Sequence, residues 1–156
     1  MPTSAATDVF DAIASAAAAE SPLWAEQLRA EPLREPAFGP LVRDELALGV
    51  ETIYEGYLVH YGRSRLFAPD DRDTALLLGD YLYAHGLVRV AETGDVKAVS
   101  DLAELISRCS QLRAEGLGGD GEEWVATSRA LGNGAGSAAT ENEVAAALAA
   151  HARLVG

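Results

Sequence analysis

Val50-Glu-Thr-Ile-Tyr-Glu-Gly-Tyr-Leu-Val-His60, followed after a gap by Ala75-Leu-Leu-Leu-Gly-Asp-Tyr-Leu-Tyr-Ala-His85, reads as two long helices. Before the gap, apolar residues recur at Leu41, Val42, Leu46, Leu48 or Gly49, Ile53, Tyr57 and Leu58. After it they recur at Leu76, Leu77, Tyr81, Leu82 and Val88. Spacings of three and four place such residues on one face of a helix, whereas a half-buried strand would alternate. Gly49 and Gly56 lie seven apart, on nearly one face, and open room for another backbone at a cost of about 1 kcal/mol each relative to alanine.

The same period extends in both directions. A first helix is expected from about Thr7 or Asp8 to Glu20, with Val9, Phe10, Ile13 and Ala16 or Ala17 inward. Ser21-Pro22 then caps and opens a short helix carrying Leu23, Trp24, Gln27 and Leu28. Three prolines between Glu31 and Pro40 make that stretch a structured connection. Asp70, Asp71 and Asp73 open the helix of the second fragment, and Gly94-Asp95 stops it and caps the next. That helix repeats Val96, Val99, Leu102, Leu105 or Ile106, Cys109 and Leu112 and ends near Gly116. Glycines then cluster at 116–121 and 132–136 around a short helix from about Glu122 to Leu131. Thr140-Glu-Asn-Glu143 is a capping box for a closing helix through about Arg153. The reading is all-α, an antiparallel helix bundle. Its core covers residues 1–116, a Gly-rich connection with a short helix covers 117–139, and a C-terminal helix covers 140–156.

Composition narrows the function. A single domain of 156 residues buries roughly 70% of its unfolded surface and needs no staple. A formal charge of −12 repels phosphate backbones, so no nucleic acid partner is expected. No apolar run reaches the roughly 18 residues of a membrane span, and the start of the chain lacks the basic region of a signal peptide; the expectation is a cytoplasmic protein with no integral membrane segment. Cys109, the single cysteine, reads as a small core residue. His60, His85 and His151 stand at no metal-ligand spacing, and no serine has an identifiable base. Trp24 and Trp124 read as packing anchors.

Leu58-Val59-His60 at the end of one helix and Gly79-Asp80-Tyr81-Leu82 on the next, with Glu92-Thr-Gly94-Asp95 and Gln111-Leu-Arg-Ala-Glu115-Gly116 after them, resemble the N-terminal half of the trans-isoprenyl diphosphate synthases. The resemblance covers residues 8–116 and implies a truncated isoprenoid-synthase fold. In that family an Asp-Asp-x-x-Asp motif follows Leu-x-His and holds Mg²⁺, which helps an allylic diphosphate to leave. Here those three positions read Tyr61, Gly62 and Arg65, so the first aspartate-rich motif is lost.

What the resemblance implies is a non-catalytic, synthase-like protein. It would serve as partner or regulatory subunit in isoprenoid or quinone side-chain synthesis, as a homodimer or as a heteromer with a full-length prenyl synthase. Arg63 and Arg65 are candidates to hold a diphosphate, since guanidinium donors match phosphate oxygens. Asp70, Asp71, Asp73 and Asp80 are weak candidates for Mg²⁺, with first-turn capping the simpler role for the first three. No cofactor is otherwise expected. An alternative is a small lipid- or isoprenoid-binding protein with a pocket lined by Tyr57, Leu58, Tyr81, Leu82, Tyr83 and Leu87. A helical protein of unrelated role is a third reading. A Mg²⁺-dependent prenyltransferase active only in an assembly is the least favoured.

Overall fold

The computed structural model of the protein describes residues 5–132 and 141–155, with side chains from residue 9 onward. Among these residues the chain is a bundle of α-helices: α1 (Ala5–Glu20), α2 (Pro22–Glu26), α3 (Asp44–Tyr61), α4 (Arg72–Ala91), α5 (Val96–Ala114), α6 (Asp120–Ala130) and α7 (Glu141–Val155). A 3₁₀ turn, Gly39–Leu41, precedes α3, and the β-structure described is a lone antiparallel bridge between Leu28 and Phe67. No described helix is long and apolar enough to cross a membrane.

Local chemistry sets the boundaries. Ser21 Oγ accepts from Leu23 N at 3.1 Å, Asp71 Oδ1 from Thr74 N at 2.7 Å and Asp95 Oδ1 from Ala98 N at 2.9 Å, so three helices start on side-chain caps. Gly94 takes φ +86° just after α4, a left-handed conformation that glycine adopts without strain. The long helix starts later than its apolar pattern implies. Val42 is extended, and Arg43 N donates to Leu131 O at 2.9 Å, so the Leu41 and Val42 side chains enter the core from a turn. Thr140, the head of the expected capping box, and the glycines at 134 and 136 lie outside the described residues.

The central helix is α3, buried on every side from Gly49 to Leu58. Its neighbour α4 runs antiparallel and close. A Cβ on Gly56 would stand 2.9 Å from Gly79 O, and one on Gly86 would stand 3.0 Å from Gly49 O and overlap Ile53. Two heptad-spaced glycines on each helix thus face each other in register, the close approach for which Gly49 and Gly56 leave room. The interior divides into two clusters. Phe10, Ile13, Ala17, Trp24, Leu66, Phe67, Leu78 and Leu82 form one; the other joins Phe38, Leu46, Val50, Ile53, Tyr54 and Tyr57 to Leu102, Leu105, Cys109, Trp124 and Leu154. Burial of each large apolar side chain contributes about 1.5–3 kcal/mol. Cys109 belongs to this core, and burial pushes its thiol up to about 12.

Candidate functional site

The segment after His60 is where the sequence points to chemistry. Gly62 N closes α3 on Leu58 O at 2.8 Å, and Arg63 N donates to Leu154 O at 2.7 Å, pinning the joint to α7. The chain then runs beside residues 27–33: Arg29 N donates to Leu66 O, Leu33 N to Arg65 O and Ala68 N to Gln27 O, all within 2.9 Å. This pairing turns the Arg65 side chain inward and leaves Arg63 exposed.

Arg65 is fully buried. Nε donates to Glu55 Oε1 at 2.8 Å, Nη1 to Glu51 Oε1 at 2.7 Å and to Glu35 O at 2.8 Å, and Nη2 to Glu51 O at 3.2 Å. The guanidinium also lies over the rings of Phe10 and Tyr54, 4.8 and 5.2 Å from their centroids. The second oxygens of the two acids are used as well. Glu51 Oε2 accepts from Ala37 N and Gly39 N at 2.9 and 2.8 Å, while Glu55 Oε2 accepts from Ser64 Oγ and from Leu66 N at 3.0 Å. Burial pulls the Arg65 guanidinium down, but the carboxylates of Glu51 and Glu55 outweigh it and hold it above the ordinary arginine value. The Arg63–Arg65 pair therefore diverges: one member faces solvent and the other is committed to internal partners. Glu51 and Glu55, one helical turn apart inside an otherwise apolar stretch, mark carboxylates in need of an internal partner, but nothing in their spacing names Arg65 as that partner.

The aspartates are not brought together either. Asp71 caps α4, which lowers its pKa through the Thr74 amide, and Asp70 and Asp73 are exposed beside it. Asp80 lies two turns along, its Oδ1 3.2 Å from His60 Nε2. Among the described residues no three His, Cys, Asp or Glu side chains assemble into a metal-holding group. His60 has a packing role too, its ring lying over Gly79, so Leu58-Val59-His60 and Gly79-Asp80 form one joint.

The six apolar candidates fall on different surfaces. Tyr57, Leu58 and Leu82 are core, and Tyr81 stacks against Trp24 with centroids 6.0 Å apart and donates to or accepts from His85 Nδ1 at 2.8 Å. Tyr83 and Leu87 share a groove of about 360 Å³ between α4 and α5 with Asp80, Ala84, Ala103 and Ile106. Their separation follows from the helix itself, since Tyr81 and Tyr83 are two residues apart and point to different sides.

A cluster that the sequence reading did not assemble lies under α7. Asp120 Oδ2, at the start of α6, accepts from Tyr57 Oη, from Arg113 Nη2 at 2.8 Å and from His151 Nε2 at 3.2 Å. Because the carboxylate only accepts, Nε2 carries the imidazole proton, and Nδ1 accepts from Tyr54 Oη at 2.7 Å. Arg113 Nε reaches Tyr57 Oη at 3.0 Å. Burial pushes the Tyr54 and Tyr57 hydroxyls up and keeps them protonated. Burial also lowers the His151 pKa against the opposing pull of Asp120. Burial alone would raise Asp120, yet the Tyr57 hydrogen bond, His151 and Arg113 together lower it. The five residues come from α3, α5, α6 and α7, so no local motif announces them.

Comparison with known proteins finds no matching family model, no matching curated protein and no matching solved structure.

Proposed function

We propose that the protein works by binding, as a non-catalytic partner or regulatory subunit of the isoprenyl diphosphate synthase kind in isoprenoid or quinone side-chain synthesis. The observation that supports this is Arg65. At the position where that family sets the last carboxylate of its metal motif, the chain carries a guanidinium sealed in the interior by Glu51 and Glu55. Three anionic positions have become a phenol, a glycine and a cation, and the acids closest to them are neutralised internally. A scaffold kept without that chemistry has its exposed faces left to act with. On α4, Leu77, Ala84 and Val88 lie exposed along one side, apolar surface for a partner helix. The test is co-purification of the tagged full chain from its native host, followed by mass spectrometry. Recovery of a full-length prenyl synthase in fixed proportion is expected; repeated recovery without one, from cells that express a synthase, overturns the reading.

A second reading rests on the α4–α5 groove. Tyr83 and Leu87 line it with Ala103 and Ile106 as a shallow, mostly apolar groove open to solvent, and the Tyr83 hydroxyl is buried without a hydrogen-bond partner. An isoprenoid or other lipid with one polar end would place its tail against Leu87 and Ile106. Native mass spectrometry after gentle purification should then carry a lipid adduct, and Leu87→Asp should remove it; a bare mass for the wild-type chain sinks this reading.

A further inference from the structure

We propose that the layer beneath α7 is a binding site for a planar azole-type ring, with an acceptor nitrogen on one edge and an N–H on the opposite edge, and that His151 fills it as an internal stand-in while α7 is docked. This is independent of the subunit reading above. The cradle is made wholly by other elements. Phe38 and Tyr54 each set a ring centroid 5.8 Å from that of His151, and Tyr57 sets one at 6.2 Å, inclined by 33°. Tyr54 Oη addresses one ring nitrogen and Asp120 the other. Trp124 stacks on Phe38 at 5.3 Å and meets Tyr54 and Tyr57 edge-on, and its buried Nε1 has no hydrogen-bond partner. The result is an aromatic box with opposed polar contacts, a recognition geometry more specific than docking a helix requires.

The cover is a single helix with a small apolar footprint, tied down at its end by the Arg63 N–Leu154 O bond and by an Arg153–Glu35 ion pair. Besides His151, α7 buries Ala147, Ala150 and Leu154. Alanine methyls contribute little area, so Leu154, with the half-buried Val155 beside it, supplies most of the apolar hold. An element with so small an apolar footprint opens at lower free energy than α3, which is buried on all sides. Asp120 beside the ring selects neutral or cationic azoles over anions, in keeping with the net charge of −12.

The probe is imidazole, used with the full chain above its own pKa so that it is neutral. In the wild type it competes with His151 for the open state, so hydrogen exchange of the α7 amides should speed severalfold while α3 amides stay unchanged. In His151→Ala, imidazole should bind and raise the melting temperature. Adding Tyr54→Phe should weaken that binding about tenfold. Toluene, an apolar ring of similar size, should bind at least tenfold more weakly than imidazole. Exchange of the wild-type α7 amides that is indifferent to imidazole overturns the proposal, and so does equal binding of toluene, which would report a plain cavity. The wild-type exchange arm keeps the test decisive should the variant fail to fold.

Discussion

Nη1 of Arg65 stands 2.7 Å from Oε1 of Glu51 with both side chains in the interior, and Glu55 closes the other side of the guanidinium. Removing the cation leaves two buried carboxylates uncompensated. Arg65→Met should therefore destabilise the chain by about 3–5 kcal/mol in urea unfolding. Neutralising the partners as well, in Arg65→Met with Glu51→Gln and Glu55→Gln, should recover more than half of that loss. Amide side chains still accept from the Ala37, Gly39 and Leu66 N–H groups that hold the connection to α3. A single variant as stable as the wild type would mean that the pairing is not what neutralises the acids.

The facing glycines of α3 and α4 make a different claim, about space. Alanine at Gly86 gains about 1 kcal/mol of helix propensity, but its methyl overlaps Ile53 and presses on the Gly49 carbonyl. Overpacking of that kind costs about 1–3 kcal/mol, so Gly86→Ala should lower the melting temperature. Gly118 has open space around it and an ordinary φ, and Gly118→Ala should change stability by no more than about 0.5 kcal/mol. A stabilised Gly86→Ala would show that the helices are free to move apart.

The acids before α4 separate a cap from a metal site. Asp71 accepts from the Thr74 amide, and Asp71→Ala should cost about 1 kcal/mol. Asp70→Ala and Asp73→Ala, both at exposed positions, should stay within about 0.5 kcal/mol. Mg²⁺ should leave the melting temperature of all three variants and of the wild type alike. A Mg²⁺-dependent rise that each substitution removes would instead make the three acids one site.

The helices were legible because their chemistry is local. Ser21, Asp71 and Asp95 cap by reaching two or three residues along the chain, and the apolar stripe of α5 sets its own buried face. Gly49 and Gly56 announced a close neighbour, and the sequence of α4 supplies its counterpart at Gly79 and Gly86. The direction of Arg65 was not legible. It depends on backbone pairing with residues 27–33, far away in sequence, and on two acids that periodicity alone assigns to an apolar face. The Asp120–His151 contact joins α6 to α7 across 31 residues that include a glycine-rich stretch, so residue spacing carries no trace of it. The motifs that carry the family resemblance have a packing account of their own: His60 covers Gly79 and its Nε2 lies 3.2 Å from Asp80 Oδ1.

Acidification should loosen the same structure through His151. Facing it are Tyr54 and Tyr57 from α3, Arg113 from α5, and Asp120 and Glu122 from α6; burial lowers its pKa although the acids oppose that shift. A histidine whose folded pKa lies below its unfolded value of about 6.5 binds more protons when the chain unfolds. Its contribution is whole above that value and declines as pH falls from there toward the folded pKa. His85, lowered by burial and by Arg89, acts in the same direction, and Asp120 extends the trend below the ordinary carboxylate range. Urea unfolding should thus give a less stable protein at about pH 5 than at about pH 7.5. In His151→Gln, whose amide can still accept from Tyr54 and donate to Asp120 without titrating, the difference should shrink. A wild type that gains stability on acidification, or a variant with an undiminished slope, would remove His151 from the account.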